Sequence, residues 1–153
     1  MILAATGHRP DKLGGYSAAA VAKVDRCALA WLTTLEPSKV ISGFALGWDQ
    51  AVARAAIELG IPLVAALPGP WQASKWPPAS QAEWRRLIVL ASEVVMVSNG
   101  RYTSAAMQVR NGWMADHCDV LLALWDGTPG GTANCLRYFT QRHPRKPVYR
   151  AAL

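Results

Sequence analysis

Three glycine-bearing stretches and one arginine carry the residue types and spacings that could do chemistry. In Asp126-Gly127-Thr128-Pro129-Gly130-Gly131-Thr132, adjacent glycines let main-chain N–H groups converge with no Cβ in the way. A helix-length segment follows, so its free N–H groups and the positive end of its dipole face whatever the turn holds. Thr132 adds a hydroxyl, as a helix cap or as a donor to phosphate. This is the pattern of an anion cradle, although it is neither a P-loop nor a Gly-x-Gly-x-x-Gly fingerprint. Read without a ligand, the same residues make a tight strand-to-helix turn.

Ser42-Gly43-Phe44-Ala45-Leu46-Gly47-Trp48-Asp49 repeats the logic. Asp49 stands near a helix start, where a carboxylate is favourable as a cap and can also accept hydrogen bonds from a ribose or base. Gly7-His8-Arg9-Pro10 follows the first apolar run. Arg9 offers a fork of donors matched to phosphate, and His8 is a hydrogen bonder or an acid-base group. Tyr16, just after Gly14-Gly15, can stack on a base. Met107, Arg110 and Met114 share one helical stripe. An arginine in an apolar stripe needs a partner: Asp116, Asp119 or Asp126 within the protein, or a phosphate or reacting glycosidic group of a ligand.

These stretches need a scaffold, and the chain supplies an alternation of short β-like runs with helix-length segments. Strands are predicted over 1–6, 39–42, 61–67, 94–97, 119–125 and 147–150. Helices are predicted over 17–35, 49–59, 80–91, 105–118 and 133–142. Ser17 is the expected cap of the first helix, which Pro37 ends, and Gly60 stops the second. Ser80 and Glu83 form a candidate capping box for the third. Residues 68–80, with four prolines and Trp71 and Trp76, read as a loop and as a candidate lid or subunit contact. A polar connection spans 98–104. The alternation predicts one α/β Rossmann-like domain over 1–153, a mainly parallel sheet with helices on both faces. Ligands in such folds sit at the carboxyl ends of the strands, where 7–16, 43–49 and 126–134 would meet.

Composition narrows the class. With 153 residues and 52% hydrophobic content the chain suits a single domain with a substantial core. No clean apolar run approaches the ~18 residues of a membrane span. The first residues are too short for a signal-peptide core, so the expected location is cytoplasmic. Cys27, Cys118 and Cys135 show no paired spacing, which argues against a disulfide framework and a zinc site, and neither metal nor resident cofactor is expected. The net charge of +6 resides at the C-terminal end. Residues 1–135 hold 11 Lys/Arg against 10 Asp/Glu, whereas Arg137, Arg142, Arg145, Lys146 and Arg150 face no acid in the last 18. This reads first as a solvated helix terminus and second as a nucleic-acid contact.

Four segments taken together, 6–16, 42–49, 110–114 and 125–134, resemble the YpsA-like branch of the SLOG superfamily. The superfamily includes the DNA-processing protein A family and the lonely-guy phosphoribohydrolases, which release a base from a nucleoside monophosphate. The resemblance implies a Rossmann-like fold, nucleotide binding and self-association. The lonely-guy motif Met-x-x-Arg-Lys-x-x-Met is similar to 107–114, with Arg110 at the functional arginine and Asn111 in place of lysine. Gly130-Gly131-Thr132 keeps the phosphate-binding part of the second motif, while Asn134 and Cys135 stand where that family has its glutamate.

The resulting expectation is a nucleotide or nucleotide-derived ligand, bound by a sensor or sequestering protein. The turn Gly130-Gly131-Thr132 would hold its phosphate through backbone amides and the Thr132 hydroxyl, Arg9 and Arg110 would supply charge, and Asp126, Gly127 and Asn134 would adjoin the ligand. Gly7, His8, Arg9 and Tyr16 would flank it, and Ser42, Gly43, Gly47 and Asp49 would line the ribose or base. The alternatives are an N-glycosidase using Arg110 and Asp49, and third, a DNA-associated protein.

Overall fold

Strands that are apolar along their whole length need cover on both faces. The structure, a computed structural model describing residues 1–98 and 101–153, provides it. The chain runs β1 (Ile2–Gly7), a 3-10 turn (Pro10–Lys12), α1 (Ala18–Leu35), β2 (Lys39–Ser42), α2 (Trp48–Glu58), β3 (Leu63–Leu67) and α3 (Pro78–Leu90). It continues through β4 (Glu93–Met96), α4 (Ser104–His117), β5 (Val120–Leu124), α5 (Gly131–Arg142) and β6 (Val148–Ala151). The strands form one sheet in the order β4-β3-β2-β1-β5-β6, and every pairing is parallel. This is the α/β Rossmann-like architecture expected from the sequence.

The pleat sends alternate side chains to opposite faces. Leu3, Ala5, Val40, Leu63, Ala65, Leu67 and Leu122 pack under α1, α2 and α3. Ala4, Ile41, Val64, Ala66, Leu121 and Ala123 pack under α4 and α5. β3 and β5 are buried at every residue, while β4 at the sheet edge is mostly exposed.

Helix ends follow local chemistry. Ser17 Oγ accepts from the N–H of Ala20 at 3.1 Å, as expected of a cap. Glu36 turns left-handed at φ 47° immediately before Pro37, and Gly60 turns left-handed at φ 68° after α2. Three helix starts fall within one residue of expectation, and two fall two residues early. α3 begins at Pro78, because a proline at the first helical position has nothing to lose. Ser80 therefore lies inside the helix and makes no capping box. Glu83 instead accepts from Arg86 at 2.7 and 2.8 Å. α5 begins at Gly131 rather than 133, so Thr132 sits in its first turn and the cap position falls to Gly130.

The loop expected over 68–80 is docked on the body of the protein. Gln72 is buried, donates to the Gly43 carbonyl at 2.8 Å and accepts from Trp84 Nε1 at 2.8 Å. Trp71 meets Tyr102 edge-on at 5.0 Å. Within the connection expected over 98–104, residues 99 and 100 lie outside the described residues. No helix among the described residues is long and apolar enough to cross a membrane.

Candidate ligand-binding site

Strand order reverses between β1 and β5: β2 to β4 extend one way from β1, while β6 extends the other. Loops leaving the carboxyl ends of two such strands splay apart and open a crevice. Here the crevice is a cavity of about 480 Å3, within the ~300–1,000 Å3 range of small-molecule sites. Its walls come from four parts of the chain: Ala5 to Arg9 with Asp11 and Lys12, at the end of β1 and just after it, Ala45 and Asp49 before and within α2, residues of α4 from Ser104 to Asn111 with Tyr102, and Thr128 to Thr132 with Asn134 around the start of α5.

The α5 side presents main-chain donors. Gly130 has φ 146°, a conformation that favours glycine. No side chain caps the helix, and the first N–H bonded back to this turn is that of Asn134, to the Gly130 carbonyl at 3.0 Å. A Cβ built on Gly131 would meet nothing within 4 Å. The first turn of α5 therefore opens into the cavity, which Thr132, Asn134, Arg9 and Lys12 also line, Lys12 donating to Thr128 Oγ1 at 2.5 Å.

At the floor lie two buried charges. Arg110 is 5% exposed and Asp49 6%. Arg110 donates through Nη1 to the Gly43 carbonyl and through Nε to Asn111 Oδ1 at 2.9 Å. Burial pushes the Asp49 carboxyl up to about 6, against the pull of Arg110, the Ala45 N–H and Arg9. Burial also lowers Arg110 from its ordinary value, and Asp49 is the largest influence holding it up. The electrostatic partner of Arg110 is thus Asp49 and not one of the three acids expected from the sequence. Asp116 is taken by His143 at 2.7 Å, and Asp119 accepts from the Ile2 N–H at 2.7 Å. Asp126 folds onto its own loop, accepting from the Thr128 N–H at 2.9 Å. Those hydrogen bonds, those from Thr128 foremost, hold its carboxyl below the usual range.

The expected site residues divide accordingly. Gly7, His8, Arg9, Asp49, Arg110, Gly130, Gly131, Thr132 and Asn134 line the cavity. His8 also staples the loops: its ring lies 2.8 Å from Asp126 Oδ1 and its carbonyl accepts from the Trp48 N–H at 3.2 Å. Asp126 and Gly127 lie outside the lining, as do Ser42 and Gly43, which serve as framework. Ser42 Oγ donates to the Asp49 carbonyl at 2.7 Å. Tyr16 and Gly47 border a second, separate cavity. The lining residues not assigned to the site from the sequence include Lys12, Tyr102, Gln108 and Asn111. Asn111, where the lonely-guy motif has lysine, is the neighbour that accepts from Arg110 Nε. Cys135 is buried below the cavity, its thiol pushed up to about 11 by burial.

Comparison with known proteins places this geometry. No family model matches the chain. It is 31% identical over 116 residues to an uncharacterized SPbeta prophage-derived protein, YoqJ, of Bacillus subtilis (strain 168), covering 65% of this chain and 68% of that one. The chain belongs to the YoqJ family. The fold of this YoqJ relative is similar to DNA processing protein A from Streptococcus pneumoniae, with a TM-score of 0.70 and 16% identity over 97% of this chain and 49% of that one. It is also similar to DNA processing protein A from Helicobacter pylori, whose structure concerns single-stranded DNA binding (TM-score 0.68, 15% identity, 98% of this chain and 64% of that one). The molybdenum cofactor carrier protein of Chlamydomonas reinhardtii aligns with a TM-score of 0.54 and 14% identity over 99% of this chain and 89% of that one. The chain thus spans about half and just under two thirds of the two DNA processing proteins. What this YoqJ family member shares with such neighbours is the α/β Rossmann-like fold expected from its sequence.

Proposed function

We propose that the cavity at the β1–β5 reversal binds a nucleotide or nucleotide-derived small molecule, as a sensor or sequestering protein of the YpsA-like branch. The observation that carries this is the uncapped first turn of α5, open above Gly131 in a cavity that Arg9 and Lys12 also line. Backbone donors at a helix start, aided by the dipole and two cations, favour a phosphate. Arg110 and Asp49 hold the floor, and Asn134 and Tyr102 border the remainder of the ligand. Calorimetry with mono- and dinucleotides, ADP-ribose and cyclic nucleotides tests the reading. Binding that weakens on Thr132→Val and Arg9→Ala supports it, and the absence of binding to all of them at millimolar concentration overturns it.

A second reading is favoured by Asp49 itself. A carboxyl held at about 6 on the floor of a cavity is poised to exchange a proton near neutrality. Cleavage of an N-glycosidic bond in a nucleoside monophosphate would use Asp49 with Arg110. Chromatography for free base after incubation with nucleoside monophosphates separates this enzyme from a pure binder.

Association with DNA is the third reading. It draws on the basic C-terminal end, where Arg137 and Arg150 border a groove beside Trp125. It requires affinity that falls steeply with salt and is lost when those residues are neutralised. Self-association is likewise a proposal, checked by light scattering of the wild type and Trp71→Ser.

A further inference from the structure

The 3-10 turn and the 45–50 segment form a wall with a cavity on each side. Arg9, Asp11 and Lys12 line the first cavity, and Pro10 and Leu13 line the second. Ala45 and Asp49 face one way, and Leu46 and Gln50 the other. The second cavity holds about 240 Å3, the scale of a single ring system rather than of a drug-sized ligand.

Its chemistry differs from that of the first. Pro10, Leu13, Val24 and Leu46 make apolar walls. The charges at its rim cancel one another. Arg54 donates to Asp25 at 2.8 and 3.1 Å and to Glu83 at 3.5 Å, while Glu83 also takes Arg86. A neutral rim gives a charged ligand no advantage. One polar group reaches the cavity from among these apolar walls. Gln50 is 3% exposed, and its Nε2 donates to the Phe44 carbonyl at 3.3 Å, which fixes the amide orientation. Among the described residues its Oε1 takes no hydrogen bond, and because no buried side-chain oxygen or nitrogen is left without a partner, this oxygen is open to the cavity that Gln50 lines. An acceptor open to a cavity with apolar walls can receive a ligand donor. Tyr16, 66% exposed at the mouth, offers a ring face for stacking.

We propose that this second cavity is a binding site for an uncharged flat nitrogen heterocycle, whose N–H donates to Gln50 Oε1 and whose ring stacks on Tyr16. The site is independent of the nucleotide reading of the first cavity.

The test titrates indole and 1-methylindole into the full chain, followed by methyl resonances. Indole is expected to shift Leu13, Val24 and Leu46 and to leave Met107, in the first cavity, unmoved. Blocking the ring nitrogen in 1-methylindole is expected to weaken binding about 3- to 10-fold, the range of one net hydrogen bond. Val21→Trp, which fills the cavity from α1, is expected to cost at least about 10-fold, and Tyr16→Ser about 5-fold or more. Arg9→Ala leaves the affinity unchanged. Should Val21→Trp fail to fold by circular dichroism, Tyr16→Ser and the methylindole comparison decide. Equal affinity for both indoles, wild-type affinity in Tyr16→Ser, or shifts confined to Met107 overturn the proposal.

Discussion

Gly43 and Arg110, 67 positions apart, meet so closely that a methyl group on the glycine would lie 2.4 Å from Nη1 of the arginine. The Gly43 carbonyl receives that arginine and also the Gln72 amide. Gly43→Ala is therefore expected to expel the guanidinium from its seat. Overpacking of a filled interior costs about 1–3 kcal/mol. Urea denaturation is expected to show a loss of that size, and nucleotide affinity is expected to fall at least about 10-fold.

Gly131→Ala makes the opposite case. A Cβ there meets nothing within 4 Å, and the residue opens α5. Alanine is the better helix former by up to about 1 kcal/mol. Thermal melting is expected to be unchanged or slightly raised, while calorimetry shows nucleotide binding weakened as the methyl enters the cavity.

Asp49 gives a pH signature. Its folded value of about 6 exceeds the ordinary 3.8, so the folded state holds the extra proton between the two. Stability from this group is complete below about 4 and is lost as pH rises through about 6. The shift corresponds to roughly 2–3 kcal/mol. Relative to Asp49→Asn, the wild type is expected to lose that amount between pH 4 and pH 7 in parallel denaturant titrations. Equal slopes for the two proteins would remove Asp49 as the cause.

The Gln72 bridge predicts a long-range effect. Trp84→Phe deletes the donor to Gln72 Oε1 and keeps most of the ring packing. Leaving that buried acceptor without a partner costs about 1–3 kcal/mol. Because Gln72 also holds the Gly43 carbonyl, protease cleavage after Lys75 is expected to accelerate in the variant.

Much of the scaffold was legible because its signals are local. The alternation of apolar runs and helical stretches gave the six strands and five helices, and Ser17, Pro37 and Gly60 marked ends through their own backbone chemistry. The errors at helix starts are local as well. Pro78 outranked Ser80 because ring geometry suits the first helical position, and Gly131 joined α5 because a glycine cap at φ 146° turned the chain two residues earlier. Arg110 had a harder reading. Its need for a partner was evident from the apolar stripe, but Asp49 and the Gly43 carbonyl arrive from another strand-to-helix connection. The nearer acids satisfy other groups. The docked loop was equally hidden, since a proline-rich stretch shows no sign of the single buried glutamine that anchors it.

The reversal of strand order has a bearing on how such proteins diversify. Most of the binding walls hang from loops and helix starts beyond the carboxyl ends of the strands, outside the hydrogen-bonded ladder. Replacing any of those connections leaves the ladder intact, so recognition can drift while the framework stands still. Kin sharing this sheet are thereby free to take cargoes of unlike size and kind.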